Sequence, residues 1–250
     1  MEKSDWWDAE TYSRLSLPHM RWGEELLRKL DVGENATVLE IGCGTGRDTE
    51  KLAQRLPRGR VVAIDKSEAM LKVAKSSLSG AYPNIEFRNA NILEPLGIPG
   101  SCDAAFSVAT LHWVSDHQLA FRHIAQTLKS GGLFLADCGG KGNISAVNEV
   151  VSLLLGSLEA GNLSHFEDVA QTQLRLVAAG FEVRDVHLLH DPARFDSVEV
   201  FKSFMATVVL GPHLERMALS EREEFLSEIA DRMPELTVDY VRLRIEAVKL

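Results

Sequence analysis

The stretch that decides the fold is EIGCGTG, residues 40–46. It follows an apolar run and precedes a helical pattern, so it occupies the turn from a strand into a helix. Three alternating glycines let the backbone turn tightly and approach a ligand, because a Cβ there would collide with it or force an unfavourable φ. A plain tight turn is the alternative, but the acid before the glycines and Asp65 at the end of the next strand favour a binding loop.

Two kinds of nucleotide ligand compete for this loop. A dinucleotide site spaces its glycines as GxGxxG, so that a helix N-terminus meets a pyrophosphate. Here the spacing is GxGxG and Glu40 stands directly before it. A carboxylate would repel a pyrophosphate and attract an ammonium. We therefore expect a nucleoside with a cationic amino-acid tail, as in S-adenosylmethionine, with Asp65 accepting both ribose hydroxyls; a dehydrogenase is the weaker alternative.

The surrounding sequence alternates apolar, β-branched runs with helical patterns. This order predicts βαβ units and a parallel sheet with helices on both faces, and consecutive apolar positions in the strands agree with it. Strands are predicted at residues 37–42, 60–65, 84–91, 103–109, 132–137, 181–190 and 238–248. Helices are predicted at residues 19–30, in a stretch ending at Pro57, after Ser67, at 115–129, 144–158 and up to Gly180, and as two helices within 197–232.

Several helix starts carry recognisable signals. The patterns Ser115-x-x-Gln118, Ser164-x-x-Glu167 and Ser220-x-x-Glu223 predict capping boxes. Gly211-Pro212 is expected to separate the two helices of the 197–232 segment.

Composition and charge limit the partners. The 250 residues are 45% apolar and 25% charged, which is typical of one globular domain with or without an appendage. Because 27 basic residues face 36 acidic ones, the net charge of −9 disfavours nucleic acid and anionic membranes as partners.

Compartment and metal content are constrained in the same way. The start MEKSDWWDAE lacks the order of a signal peptide, and no apolar run approaches the roughly 20 residues that span a bilayer, so a cytoplasmic protein is expected. Cys43, Cys102 and Cys138 are far apart and form no CxxC pair, so neither a disulfide framework nor a metal site is predicted.

Together with AID at residues 63–65, the glycine stretch resembles that of the class I S-adenosylmethionine-dependent methyltransferases. The similarity is greatest to the small-molecule enzymes that act on trans-aconitate, malonyl carrier protein and juvenile hormone acid. It implies a single α/β domain with a Rossmann-like, doubly wound sheet of seven strands, the last of them antiparallel. The implied parts are an N-terminal helical arm (1–34), a cofactor-binding core (35–190), a helical lid insertion (191–236) and a final strand (237–250).

The resemblance also implies which residues bind S-adenosylmethionine. Glu40 would act on its methionine end and Asp65 on its ribose. Asn91 stands where relatives carry an aspartate that accepts a bond from the adenine amino group, and an amide oxygen can still accept that bond without charge assistance. The other implied cofactor-binding residues are Gly42, Cys43, Gly44 and Gly46 in the glycine stretch, Lys66, Met70 and Ile92 near the adenine, and Ala109.

The acceptor side is expected after the fourth strand, in ATLHWVSDH (109–117). Ligands of open α/β sheets bind at the carboxyl ends of the strands, so this segment would lie beside the transferable methyl group. Trp113 would wall the acceptor pocket, and His112 could bond a substrate oxygen or act as a general base. His117 is interpreted as a surface or capping residue.

The N-terminal arm is the second expected source of acceptor contacts. In the relatives this arm supplies a tyrosine and a glutamine, and the resemblance implies that Tyr12 and His19 take these positions. His19 is then the second candidate base. Arg14 and Arg21 are candidate cations for an anionic acceptor.

These observations predict O-methylation of a small, carboxylate-bearing molecule by direct in-line transfer. A carboxylate is already nucleophilic at neutral pH, whereas a hydroxyl or carbon acceptor would need His112 or His19 as a base. Methylation of a hydroxyl or carbon, and a catalytically silent cofactor-binding protein on the same fold, are the alternatives. Nucleic-acid methylation is disfavoured because no Asn/Asp-Pro-Pro-aromatic motif follows the fourth strand.

Overall fold

The computed structural model describes residues 18–156 and 164–250, and its centre is a seven-stranded sheet. The strands are β1 (Thr37–Ile41), β2 (Arg60–Asp65), β3 (Ile85–Asn89), β4 (Cys102–Val108), β5 (Leu128–Gly139), β6 (Phe181–His190), β7 (Ala193–Arg194), β8 (Thr237–Val238) and β9 (Val241–Lys249). The helices are α1 (Pro18–Lys29), α2 (Arg47–Arg55), α3 (Glu68–Leu78), α4 (His117–Thr127), α5 (Ser145–Leu155), α6 (Val169–Ala178), α7 (Val198–Phe204), α8 (Gly211–Leu214) and α9 (Leu219–Arg232).

The strand order confirms the predicted sheet. It runs β3-β2-β1-β4-β5-β9-β6, and neighbouring strands from β3 to β5 are parallel. The last strand, β9, lies antiparallel between β5 and β6. The strand order reverses between β1 and β4, and the carboxyl ends of the strands at such a switch point leave a crevice where ligands bind.

The strands β1, β2 and β4 are buried on both faces of the sheet, which explains their continuous apolar runs. Successive side chains of a strand point to opposite faces. Val38 and Val61 belong to one hydrophobic cluster, whereas the adjacent Leu39 and Val62 belong to another. A strand that is buried on both sides needs apolar residues at every position, so its sequence loses the alternation of a half-exposed strand.

The predicted capping boxes are wrong, although the helices exist. α4 begins after Asp116, whose carboxylate accepts a 2.9 Å bond from the Leu119 N–H, and α6 begins after Asp168. The third proposed cap, Ser220, lies inside α9. Aspartate is at least as good an N-cap as serine, so where both are near, the chain path decides which of them closes the helix.

The segment before the last strand is helical, as expected, but it is divided differently. A π-helix (Met205–Val209) continues α7, and Gly211-Pro212 begins the short helix α8 instead of separating two helices, because proline is tolerated in a first helical turn. β8 pairs with β7, so the last central strand starts at Val241 and not at residue 238. The buried side chains of α7 and α9 join Trp22 in a third hydrophobic cluster.

None of the helices within residues 18–156 and 164–250 combines the length and apolar character that a membrane span requires.

Candidate functional site

A cavity of about 290 Å³ opens at the carboxyl ends of β1, β2 and β4. This is the place that the switch in strand order favours for a ligand. Its lining includes the predicted residues Gly42, Gly44, Asp65, Lys66, Met70, Asn91, Ile92, Ala109 and Trp113, together with Thr110 and His165.

The three glycines of the loop have left-handed backbones but different surroundings. A Cβ on Gly42 would lie 2.1 Å from Thr110 Oγ1, and one on Gly46 would lie 2.6 Å from Leu78 Cδ1. A Cβ on Gly44 would meet no atom within 4 Å, because that position faces the open cavity. Gly42 and Gly46 thus allow close packing of Thr110 and α3, whereas Gly44 leaves a cradle for a ligand.

Alanine substitutions should separate these roles. Gly42→Ala combines a strained positive φ with a clash, so it should lower the free energy of unfolding by about 2–4 kcal/mol, as measured in urea. Gly44→Ala introduces the backbone strain without a clash and should lower the free energy of unfolding by about 1–2 kcal/mol. Its methyl group enters the cavity, however, and should weaken the binding of S-adenosylhomocysteine measured by calorimetry. Equal losses of stability in the two variants would contradict this division.

Asp65 is oriented towards the cavity by the backbone around it. Its Oδ2 accepts a 2.8 Å bond from the Gly44 N–H, and its Oδ1 accepts a 2.9 Å bond from the Ser67 N–H. A carboxylate offers about four acceptor positions, and these two bonds use one on each oxygen. The geometry is therefore suited to a ligand with two adjacent hydroxyls.

Asn91 and Ile92 form one end of the cavity, and both are held by hydrogen bonds. Asn91 Oδ1 accepts a 3.0 Å bond from the Leu93 N–H, which makes Asn91 a turn residue as well as a lining residue. The buried His123 bonds the Ile92 carbonyl through Nδ1 at 2.8 Å. The amide oxygen of Asn91 could serve an adenine amino group only through its second lone pair.

A smaller cavity, of about 60 Å³, continues past the glycine loop and carries charges of both signs. It is lined by Glu40, Cys43, Arg47 and Asp48, among others. Glu40 is 3% exposed, and its Oε2 has no hydrogen-bond partner among the described residues. Buried acceptors are normally paired, so this atom fits the ammonium group of an amino-acid tail.

The electrostatics of this cavity follow from burial. Burial raises the pKa of Glu40 from 4.5 to about 8; the nearby Thr49 hydroxyl acts against the shift, and the charges of Asp48 and Asp65 add to it. Burial also raises the pKa of Asp48 to about 6, against the attraction of Lys51 and Arg47. A cationic ligand would reverse this cost at Glu40, because it favours the charged carboxylate.

A third cavity, of about 40 Å³, shares Ala109 and Trp113 with the first. Ala109 lines all three cavities and therefore marks their junction. Its φ of +53° is unusual for a residue with a side chain, and such strain clusters at functional sites. The walls of the third cavity are Trp22, Ala109, His112, Trp113, Gly139, Asn143, Ile144, Ser164, Phe166, Val208, Val209, Tyr240 and Arg242.

His112 has a defined tautomer in this third cavity. The Gly139 N–H donates to His112 Nδ1 at 3.1 Å. A backbone N–H can only donate, so Nδ1 is an acceptor and the neutral ring carries its proton on Nε2. The ring packs against Trp113 and Phe166 at centroid distances of 5.0 and 5.8 Å. This arrangement makes Nε2 a hydrogen-bond donor and leaves Nδ1 engaged with the backbone.

The remaining candidate residues, His117 and those of the N-terminal arm, have different environments. His117 is buried and bonds the Leu111 carbonyl through Nε2 at 2.8 Å, so its interpretation as a surface residue is wrong. Tyr12 and Arg14 lie outside the described residues, as does the side chain of His19, whose backbone belongs to α1. Arg21 donates to both oxygens of Asp191 at 2.5 and 2.7 Å and is thereby committed to an ion pair.

Sequence reasoning missed much of the third cavity. Phe166 lies in the segment before α6, Val208 and Val209 lie in the π-helix, and Arg242 lies on β9. The His165 N–H bonds the His112 carbonyl at 2.7 Å and draws this segment to the site. None of these residues belongs to a short motif, so only the folded chain brings them together.

Comparisons with known proteins agree with this geometry. Residues 38–132 match the family described as a methyltransferase domain. The chain is 28% identical over 238 residues to a trans-aconitate 2-methyltransferase of Afipia carboxidovorans, an alignment that covers 92% of this chain and 90% of that protein.

Two solved structures support the fold. The YcgJ protein of Bacillus subtilis superposes with a TM-score of 0.66 at 18% identity, covering 92% of this chain and 98% of that one. A geranyl diphosphate methyltransferase in complex with S-adenosylmethionine superposes with a TM-score of 0.63 at 17% identity, covering 97% and 90%. At these identities the two likenesses concern the fold alone.

The family match, the full-length relative, the strand order and the acid-flanked glycine loop lead to the same assignment. These findings support a class I S-adenosylmethionine-dependent methyltransferase, with S-adenosylmethionine as its cofactor.

Proposed function

We propose that this methyltransferase esterifies a carboxylate of a small molecule. The observation that carries the proposal is the bond from the Gly139 N–H to His112 Nδ1, which makes His112 a donor. A general base needs an unprotonated nitrogen directed at the acceptor, and here that nitrogen faces the backbone. An acceptor that is already anionic needs no base, and a carboxylate meets this condition at neutral pH.

The cofactor would span the first two cavities. Bound S-adenosylmethionine supplies an electrophilic methyl group on a sulfonium. In the proposal Glu40 pairs with its ammonium group, Asp65 accepts its ribose hydroxyls, and Gly44 leaves room for it. Lys66, Met70, Asn91 and Ile92 surround the adenine.

The acceptor would occupy the third cavity, next to the junction at Ala109. His112 Nε2 would donate to the carboxylate oxygen that does not react. Trp22, Trp113 and Phe166 would exclude water, so that the reacting oxygen is desolvated and held close to the methyl group. Tyr12 and His19 are proposed to complete this pocket from the arm.

The relative of Afipia carboxidovorans supports an acid as acceptor, since the trans-aconitate in its name is a tricarboxylate. A hydroxyl or carbon acceptor would require a base to remove a proton. The arrangement at His112 therefore favours the acid.

Methyl-transfer assays on small acids test the proposal. We expect methyl esters from at least one carboxylic acid, detected by mass spectrometry, and no product from phenols or alcohols of matched size. With saturating cofactor, kcat should be independent of pH from about 6 to about 9, because no base titrates. Turnover of phenols or alcohols with none of the acids, or a kcat that falls with acid through the histidine range, would overturn the assignment.

A catalytically silent protein would behave differently. Tight binding of S-adenosylmethionine in calorimetry, with no turnover of any acid, phenol or alcohol, would support a binding protein on the same fold.

A further inference from the structure

We propose that the acceptor has a single carboxylate, the one that is methylated, and that the rest of the molecule is uncharged and apolar. This inference rests on the proposed function and goes beyond it, because it distinguishes monoacids from the diacids and triacids that an acid-methylating enzyme could also use. The evidence comes from the third cavity, whose lining is largely apolar and whose neighbouring charged groups neutralise one another.

Arg242 lines this cavity, but the charge of its guanidinium is already matched by two carboxylates. Arg242 is 1% exposed. Its Nε donates to Asp137 at 3.0 Å, its Nη2 bonds the other oxygen of Asp137, and its Nη1 donates to Asp191 at 2.8 Å. Asp137 is completely buried. A guanidinium held by two carboxylates offers little net positive charge to a ligand.

The neighbouring charges extend this balance. Arg21 pairs with Asp191, and Arg244 pairs with Asp137 and Glu25. We call these residues the ion cluster; it consists of Arg21, Glu25, Asp137, Asp191, Arg242 and Arg244. Three guanidinium groups meet three carboxylates in it, so its formal charge is zero.

The ion cluster also fixes the apolar wall. The Trp22 indole N–H donates to Asp191 at 2.6 Å, and the Arg242 guanidinium lies 4.5 Å from the centre of the Trp22 ring. Trp113 and Phe166 face the cavity from one side, and Val208 and Val209 from the π-helix. Apart from Arg242, the ion cluster contributes no residue to the lining of this cavity, which is largely aromatic and aliphatic among the described residues.

This arrangement discriminates by charge. The reacting carboxylate loses its charge as it is esterified, and His112 can donate to it. A second carboxylate would be removed from water among Trp113, Val208 and Val209. Within residues 18–156 and 164–250, the cation that lines this cavity, Arg242, is already paired to Asp137 and Asp191. Burying an unpaired charge is costly, so a diacid should bind far worse than a monoacid of equal size.

The transfer itself balances without further reactants. A carboxylate oxygen forms the new O–CH₃ bond while the C–S bond breaks, and the bonding electron pair passes to sulfur. The anion and the sulfonium become a neutral ester and a neutral thioether, and no proton or electron is exchanged with the protein.

Matched acid pairs provide the first test. Butanoate, hexanoate and benzoate would be compared with butanedioate, hexanedioate and benzene-1,4-dicarboxylate, each at saturating S-adenosylmethionine. We expect the monoacid of at least one pair to have a kcat/KM at least about 100-fold higher than its diacid. Comparable or higher kcat/KM for the diacids would overturn the inference and leave the proposed function intact. Failure of both members of every pair, with turnover of phenols or alcohols instead, would overturn both.

A charge substitution provides the second test. Asp191→Asn removes one negative charge from the ion cluster and leaves a net cation beside the cavity. It should narrow the preference for the monoacid by about tenfold, mainly through a lower KM for the diacid. Glu34→Gln removes the same charge from an exposed pair with Arg58 and should leave the ratio unchanged.

Folding of the Asp191→Asn variant is checked separately, by its melting temperature and its affinity for S-adenosylhomocysteine. If the folded variant keeps the ratio of the original protein, or if Glu34→Gln changes it equally, the ion cluster does not set the specificity. If the variant does not fold, the matched acid pairs decide the inference.

Discussion

Replacing Asp65 by alanine should raise the dissociation constant for S-adenosylhomocysteine at least about 100-fold. Hydrogen bonds to a charged group contribute about 1.5–3 kcal/mol each, and the ribose offers two donors. The same carboxylate accepts the Gly44 and Ser67 N–H groups, so the substitution also releases the glycine loop. Isothermal titration calorimetry measures the change directly.

Asp103 provides a matched control for this substitution. It too accepts a backbone N–H, that of Thr37 at 2.8 Å, and it pairs with Lys129 at 2.6 Å. It lies at the start of β4, and the cavity opens at the other end of that strand. Asp103→Ala should therefore lower stability but leave the dissociation constant within about twofold. If both variants lost the same affinity for S-adenosylhomocysteine, the effect of Asp65 would come from the stability of the fold and not from contact with the ligand.

Glu40→Gln should change the pH dependence of both stability and cofactor binding. The pKa of Glu40 is about 8 in the folded protein, because the carboxyl group is buried, against an ordinary value of 4.5. Between these values the unfolded chain has lost the proton that the folded chain keeps. The contribution of Glu40 to the free energy of unfolding is therefore fully present below about pH 4.5 and is lost as pH rises through about 8.

The size of this effect makes it measurable. A shift of this magnitude corresponds to a loss on the order of 4 kcal/mol from pH 5 to pH 9. Glutamine does not titrate, so the stability of Glu40→Gln relative to the original protein should rise with pH. Urea unfolding at several pH values tests this, with the exposed Glu235→Gln as a control that should parallel the original protein. If the free energy of unfolding of Glu40→Gln followed the same pH dependence as that of the original protein, Glu40 would not be the group that causes this dependence.

Cofactor binding should depend on the same proton. An ammonium partner requires the charged carboxylate, so the original protein must release a proton on binding below about pH 8. Its affinity for S-adenosylhomocysteine should then rise about tenfold between pH 6 and pH 7. Glu40→Gln should bind more weakly and lose this slope. Calorimetry in two buffers of different ionisation heat would count the released proton.

The central sheet was predictable because its sequence signals are local. Residues 60–65 coincide with β2, and residues 181–190 coincide with β6. Apolar runs that are buried on both faces leave a strong pattern, and the glycine loop marks the turn after β1. Helix starts were less predictable, since Asp116 and Asp168 cap the helices although serines suited to the same role lie close by.

The acceptor side was not predictable to the same degree. The tautomer of His112 depends on a hydrogen bond from Gly139, which lies 27 positions away in the chain. Arg242 lies inside a strand pattern that predicts only alternation, and its partners Asp137 and Asp191 are brought to it by β5 and the end of β6. Long-range pairing of this kind has no signature in a single sequence.

The junction at Ala109 has a consequence for how such an enzyme can change over evolution. The first two cavities are built largely from the loops that follow the early strands, whereas the third draws on α1, the π-helix and β9. Substitutions at Val208 or Val209 should therefore reshape the third cavity, the proposed acceptor pocket, while the loops around the first two cavities stay intact. If the third cavity holds the acceptor as proposed, the choice of acceptor can change through replacements in the helices that line it, without loss of the residues proposed to bind the methyl donor.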